Sequence, residues 1–181
     1  MIYVTSDWHF CHDQPFIYEP RGFSSVNEMN EAIVERHNLI VSNDDDVWVL
    51  GDLMLNDNEK GIELISKLNG NLHIVCGNHD TDRRKELYKT LPNFITMYDG
   101  KMLRYKKYSF MLSHFPTITT NYDDQGITYR TLSLFGHTHS KEKFYNDNPY
   151  IYNVAVDAHN CFPISIEQII TDMKAKAKDL C

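Results

Sequence analysis

Short, unbroken apolar runs rich in β-branched residues recur along this chain, and each stops at a polar cluster. Met1-Ile2-Tyr3-Val4-Thr5 runs into Ser6-Asp7-Trp8-His9, and Asp46-Val47-Trp48-Val49-Leu50 runs into Gly51-Asp52. Leu72-His73-Ile74-Val75-Cys76 runs into Gly77-Asn78-His79-Asp80. The runs at 108–113 and 131–135 end at Ser113-His114 and at Gly136-His137-Thr138-His139. Runs with no period-two alternation are the signature of strands covered on both faces. A chain built this way must fold as a layered α/β protein, with its polar clusters at strand ends.

The remaining elements follow from local signals. Further strands are expected at 94–98, 101–105 and 150–156, with Asp99-Gly100 as a hairpin turn between the first two. Ser25-x-x-Glu28 fits a capping box ahead of a stripe formed by Val26, Met29, Ala32, Ile33, His37 and Ile40. Residues 58–69 read as a second helix with Gly70 as its stop, and 81–90 as a third. Ser165-x-x-Gln168 caps a C-terminal helix after Pro163. The order is βαβαβ followed by mostly β, which suggests a parallel α/β core with a second mixed sheet packed on it. With no internal repeat or linker, the 181 residues are expected to form one domain, 1–181.

In α/β sheets, ligands sit beyond the carboxyl ends of the strands. Asp7, His9, Asp52, Asn78, His79, His114, His137 and His139 would therefore converge on one edge. In Asp7-x-His9 and His137-x-His139, a period of two puts both side chains on one side of an extended segment, within reach of one ion. Oxygen and imidazole donors suit Mn²⁺, Fe²⁺, Zn²⁺ or Ni²⁺, and the absence of thiolates argues against a structural zinc site. Asp52 is the carboxylate at the second strand end. It could bridge two ions about 3.5–4 Å apart.

These blocks, D-x-H, G-D, G-N-H-D, H and G-H-x-H, are in order over residues 7–139, and they resemble the calcineurin-like metallophosphoesterase superfamily. The opening Ser6-Asp7-Trp8-His9-Phe10-x-His12 is similar to that of its compact bacterial and phage members. The resemblance implies the calcineurin-like fold, an αββα sandwich of two packed mixed β-sheets flanked by helices. It implies two divalent metal ions, Mn²⁺ first, with Fe²⁺, Zn²⁺, Ni²⁺ or Mg²⁺ as alternatives. Asp7, His9, Asp52 and His139 would hold one ion, and Asp52, Asn78, His114 and His137 the other. A metal-bridging hydroxide would then attack phosphorus. His79 would contact the phosphate beside Asn78 and protonate the leaving oxygen, with Asp80 orienting it as the second catalytic residue.

One departure narrows the activity. The large Ser/Thr phosphatases of this superfamily carry an arginine soon after the G-D block, whereas here Leu53-Met54-Leu55-Asn56 occupies that stretch. Arg83, at the start of the third helix, is a candidate replacement phosphate contact. His12 is a candidate substrate contact, with a surface-loop histidine as the alternative. Segments 13–23 and 116–126 follow ligand blocks and are expected to wall the pocket, with Tyr122 and Tyr129 in or near the second. His37, His73 and His159 lack the pattern and read as structural.

The expected function is hydrolysis of a small, nucleotide-like phosphodiester. The alternatives are a phosphomonoesterase and, from a different class, a non-catalytic interaction module. A module of this fold tends to lose His or Asn from the last blocks, and this chain retains them. A net charge of −7 argues against stable duplex DNA binding. No apolar run approaches the roughly 20 residues of a membrane span. The N-terminus reads as a first strand rather than a signal peptide. Cys11, Cys76, Cys161 and Cys181 lack C-x-x-C spacing and suggest reduced thiols in a cytoplasmic protein. Cys11 reads as a loop thiol beside the site, with a soft ligand as the alternative. A monomer or a homodimer is expected.

Overall fold

The computed structural model describes residues 1–119 and 126–179; Tyr122 and Cys181 lie outside them. In chain order the described residues form β1 (Ile2–Thr5), α1 (Pro15–Tyr18), α2 (Val26–Ile40), β2 (Asp46–Val49) and α3 (Asn58–Ile65). Next come β3 (Asn71–Val75), α4 (Asp82–Tyr88), β4 (Phe94–Tyr98), β5 (Lys101–Tyr105), β6 (Tyr108–Leu112) and β7 (Thr131–Phe135). The chain ends with β8 (Ile151–Asn153), β9 (Ile164–Ser165) and α5 (Ile166–Lys178).

The strands make two mixed sheets, as expected. The first has the order β4-β3-β2-β1-β9, with β1 to β4 parallel and β9 antiparallel to β1. The second has the order β5-β6-β7-β8, antiparallel only between β5 and β6. Alternation along the parallel strands divides the core. Tyr3, Val47, Val49, Leu72 and Ile74 join one cluster with Met29 and Ile33 of α2 and Leu64 and Ile65 of α3. Val4, Trp48, Leu50 and Val75 join a second cluster with Phe110, Leu112, Leu132 and Leu134 of the other sheet and Ile169, Ile170 and Met173 of α5. The central strands are thus buried on both faces, which is why they read as unbroken apolar runs.

Side-chain caps set the helix starts. Ser25, Asp57, Thr81 and Ser165 accept from Glu28, Lys60, Arg84 and Gln168 backbone N–H groups, respectively. The Glu28 carboxylate reaches back to Ser24 N at 2.8 Å, which completes the expected box one residue earlier than read.

Four details differ from the sequence reading. Asp99-Gly100 is not a hairpin turn: β4 pairs with β3 in the first sheet and β5 with β6 in the second, so the dipeptide is a corner between sheets. The tight hairpin lies at Lys106-Lys107, where Tyr105 pairs with Tyr108 and Lys106 takes φ 52°. Helix α3 ends at Ile65, and Gly70 (φ 92°) instead turns the chain into β3 where a Cβ would meet Val47, Asp45 O and Val41. Strand β8 stops at Asn153, and Val156–Ala158 forms a 3₁₀ turn. The short elements α1 and β9 had no readable signal.

Candidate metal centre

Every ligand block leaves a strand at the same edge. Past β1 the chain is not extended: Asp7, His9 and Cys11 adopt φ of 57°, 50° and 63°. Asp7 and His9 turn toward the ligand cluster, while Trp8, Phe10 and Cys11 pack into the core. The segment is fastened to the loop after β2 by Asp7 N to Gly51 O, His9 N to Asp52 O and Phe10 N to Leu53 O, each 3.0 Å. Asp52, His137 and His139 also have positive φ (55°, 68° and 50°). Close approach requires glycine beside them: a Cβ on Gly51 would stand 2.5 Å from Gly77 N and 2.7 Å from His114 Nδ1.

The side chains converge. His9 Nε2 lies 3.7 Å from both Asp7 Oδ1 and Asp52 Oδ2. His139 Nε2 is 4.0 Å from Asp7 Oδ1, and His114 Nε2 is 3.4 Å from Asp52 Oδ2. His114 Nε2 also approaches Asn78 Oδ1 at 3.0 Å and His137 Nδ1 at 3.2 Å. Among the described residues, two sets of donor atoms could each hold an ion: Asp7, His9 and His139, and Asp7, Asp52 and His114. Asp7 is common to both sets, and Asp52 Oδ2 stands 3.7 Å from His9 Nε2 and 3.4 Å from His114 Nε2.

The donor set fits a divalent cation. Asp7 Oδ1 and both nitrogens of His9 are buried without a hydrogen-bond partner. A buried polar group left this way costs about 1–3 kcal/mol, which coordination would recover at Asp7 Oδ1 and at His9 Nε2, the nitrogen that faces both carboxylates. Asp7 Oδ2, by contrast, is satisfied by Ser6 Oγ (2.5 Å) and His137 N (2.9 Å), so that Oδ1 is presented to the site. His114 Nδ1 donates to Leu50 O at 2.7 Å, which aims Nε2 into the site.

In the metal-free protein the buried carboxylates and imidazoles answer one another's charge. Burial raises the Asp52 carboxyl, but hydrogen bonding and charge from His114 outweigh it and hold the group at about 2. Burial lowers His114, yet the Asp52 hydrogen bond and the Asp7 and Asp52 charges lift it to about 9. Burial depresses His9, and His12 is pushed down to about 4 by burial and the neighbouring imidazoles.

A cleft of about 430 Å³ opens over this cluster, lined by His9, His12, Asp52, Asn78, His79, His137 and His139 together with Phe16, Ile17 and Leu55. His12 faces the cleft rather than the outer surface. His79 is half-exposed there; its backbone N–H donates to Asp52 Oδ1 at 2.9 Å and its Nε2 lies 4.0 Å from Asp52 Oδ2. Asp80 does not turn toward the His79 ring. Its carboxylate accepts from Asp52 N (2.9 Å), Gly77 N (2.8 Å), Leu53 N (3.4 Å) and the Tyr88 hydroxyl (2.7 Å), so it ties the two ligand loops together. Arg83 is exposed on α4 and is not among the residues lining the cleft. Its neighbour Arg84 turns inward to His79 O and Asn58 Oδ1. Segment 13–23 contributes Phe16 and Ile17 to the wall. Tyr129 is 81% exposed, and 120–125 lie outside the described residues.

Cys11 is buried against Asn30 and does not line the cleft. His37, His73 and His159 are engaged elsewhere, with Asn69 O, Thr96 Oγ1 and Asn153 O. Two further residues reach the site without having been read from the sequence, Arg21 and Asp157. Asp157 Oδ2 lies 3.2 Å from His139 Nδ1 and 2.8 Å from Arg21 Nη2. Asp157 sits just past a strand end, the same rule that located the other blocks. Arg21 stands in a loop with no motif.

Known proteins are similar to this chain. The chain is 33% identical over 177 residues to an uncharacterised protein of Methanocaldococcus jannaschii, covering 93% of this chain and 89% of that protein. A solved structure of a protein of unknown function from Aquifex aeolicus is 26% identical with a TM-score of 0.71, covering 94% of this chain and 98% of that one. A phosphoesterase from E. coli, YfcE, is 15% identical with a TM-score of 0.48, over 85% and 77% of the two chains. Residues 1–173 match the calcineurin-like phosphoesterase family. The chain belongs to that family and is a metal-dependent phosphoesterase.

Proposed function

We propose that this phosphoesterase hydrolyses a small, nucleotide-like phosphodiester with two divalent cations, Mn²⁺ first among them. The carrying observation is the cleft. Its floor is the ligand cluster, its wall is Phe16, Ile17 and Leu55, and no Lys or Arg is among the described residues that line it. A phosphomonoester dianion gains from a guanidinium or ammonium clamp in addition to the ions. A diester carries one charge and a second substituent, for which an apolar wall is the better match. Leu55 stands in the stretch after Gly51-Asp52 that lacks arginine.

Asp7, His9 and His139 would hold one ion, and Asn78, His114 and His137 the other, with Asp52 between. When bound, the ions supply a water activated near neutral pH and offset the charge that builds on the phosphoryl group. The protein's own part is positioning. His79 lines the cleft with its backbone N–H bonded to Asp52, and it would touch the phosphate and give a proton to the leaving oxygen. His12, held neutral, offers a hydrogen bond rather than a charge. Asp80 keeps Asp52 and Gly77 in register. The free thiols of Cys11, Cys76 and Cys161 accord with a reducing, cytoplasmic setting. No helix among the described residues is long and apolar enough to cross a membrane.

The test is hydrolysis of bis-p-nitrophenyl phosphate against p-nitrophenyl phosphate after stripping metal and restoring Mn²⁺, alongside Asp52→Asn. Metal-dependent diester cleavage, lost in the variant, is expected. Faster cleavage of the monoester would overturn the diester assignment.

A further inference from the structure

Arg21 and Asp157 form a fork-to-fork ion pair, with Nε to Oδ1 at 2.9 Å and Nη2 to Oδ2 at 2.8 Å. Their side chains are 1% and 7% exposed, so the pair is desolvated and bidentate, the geometry in which such a contact is directional. Each partner also reaches a different ligand block. Arg21 donates from Nη2 to Asp7 O at 2.9 Å and from Nη1 to Trp8 O at 3.2 Å, clasping the left-handed turn that carries Asp7 and His9. Asp157 Oδ2 lies 3.2 Å from Nδ1 of His139.

Hydrogen counting points to one tautomer for a neutral, ligating His139. Nη2 of Arg21 carries two hydrogens, and Asp7 O and Asp157 Oδ2 take both. Its 3.4 Å approach to His139 Nδ1 is the longest of its three contacts, and Asp157 Oδ2 stands closer to Nδ1, at 3.2 Å. Nδ1 is left to donate to Asp157, and the Nε2 lone pair then points toward Asp7 Oδ1, 4.0 Å away. Neither Arg21 nor Asp157 lines the cleft, so neither touches substrate.

We propose that Asp157 and Arg21 are positioning residues: Asp157 fixes the tautomer and aim of His139, and Arg21 locks Asp157 to the Asp7–His9 turn, so that the pair selectively sets the affinity of the ion held by Asp7, His9 and His139. The inference rests on the two-ion reading above. A carboxylate behind a ligating imidazole typically sets metal affinity by about 10- to 100-fold.

The experiment is calorimetric titration of the metal-stripped protein with Mn²⁺ alone, comparing wild type, Asp157→Asn and Arg21→Lys. Wild type should bind two ions. Asp157→Asn should weaken one of them by about 10- to 100-fold and leave the other unchanged. Arg21→Lys keeps the charge but loses the fork, and should show a smaller loss at the same ion. A wild type that binds no ion would overturn the two-ion reading together with this inference. A wild type that binds two, with both affinities unchanged in Asp157→Asn, would overturn the inference alone. Nitrogen-15 spectra of the Zn²⁺-loaded wild type give a readout that needs no variant to fold. A retained Nδ1–H on His139 is expected, and an Nε2–H there would refute the proposal.

Discussion

Replacing Asp80 separates two roles for a carboxylate that stands beside a candidate proton donor. Asp80 is 3% exposed and accepts three short hydrogen bonds, from Asp52 N, Gly77 N and Tyr88 Oη at 2.7–2.9 Å. Asp80→Ala strands two buried backbone N–H groups and a phenol. At about 1–3 kcal/mol per unsatisfied group, partly relieved by water entering the space, the loss should be roughly 3–6 kcal/mol. That is a large share of the about 5–15 kcal/mol that holds a typical domain together. Asp80→Asn keeps the volume. Its one oxygen can serve the two peptide N–H groups that share Oδ2, and its NH₂ can donate to a rotated Tyr88 hydroxyl. Charge assistance and the long Leu53 N bond to Oδ1 are lost, roughly 1–2 kcal/mol together. Tyr88→Phe removes one bond to a charged acceptor and should cost about 1.5 kcal/mol or more. Urea unfolding of the metal-stripped proteins measures all three, and pH profiles of kcat/KM on the Mn²⁺-loaded proteins complete the test. If Asp80 acts through the loops, Asp80→Asn lowers stability and leaves the limbs of the profile in place. A variant as stable as wild type with a displaced limb would refute this and restore Asp80 as the orienting partner of His79.

Other outcomes are expected from the same geometry. In metal-stripped protein, His114 is lifted to about 9 by Asp52, so its stabilising contribution is full below its unfolded value of 6.5 and fades as pH rises through about 9. Thermal melts should therefore show Tm falling between pH 6.5 and 9, and Mn²⁺ uptake should release protons and weaken toward acid pH, which calorimetry in buffers of different ionisation heat will measure. Asp52, depressed to about 2, contributes above its ordinary 3.8, and that contribution is lost only as pH falls through about 2. Gly136→Ala would drive a Cβ into Asp7 Oδ2 and Ser6 Oγ; it should weaken Mn²⁺ binding in titrations while Gly126→Ala, whose Cβ meets nothing within 4 Å, does not. Phe16, 67% exposed on the cleft wall, should matter for the ester substituent: Phe16→Ala should raise KM for the diester about 2- to 10-fold with kcat little changed, read from steady-state kinetics.

The convergence of the site was legible because strand ends obey topology. Val47 to Leu50 and Ile74 to Val75 announce buried parallel strands, and the residues just past neighbouring parallel strands land on one edge. The detail was not legible where tertiary pairing overrides a local signal. Asp99-Gly100 has hairpin chemistry, yet Phe94 to Tyr98 had β3 available as a parallel partner, and the chain crosses to another sheet instead. Asp80 follows His79 in sequence and invites a dyad, but the backbone turns its carboxylate toward peptide groups 27 and 28 residues away. Arg21 is joined to Asp157 across 136 residues, a separation that leaves no trace in local pattern.

The strain at the centre explains why such blocks follow strands rather than lie within them. Asp7, His9, Asp52, His137 and His139 all have φ between 50° and 68°, and none is glycine. A left-handed residue costs about 1–2 kcal/mol, less for Asp or His, so the set amounts to roughly 5 kcal/mol, comparable with a domain's whole stability. Such conformations persist only where the surroundings over-determine them. Here the ties are specific: Asp7 N to Gly51 O, His9 N to Asp52 O and His137 N to Asp7 Oδ2 each join two left-handed turns, so no one turn can relax without its neighbour. The turns are anchored by β1 and β2, whose register Thr5 to Val49 holds the two loops side by side. Regular strand or helix would spread these side chains along an element; alternating left-handed residues gather them onto one point. The strands contribute no chemistry of their own, but the rigidity of the buried sheet is what lets a costly arrangement of carboxylates and imidazoles stand where a flexible loop would collapse.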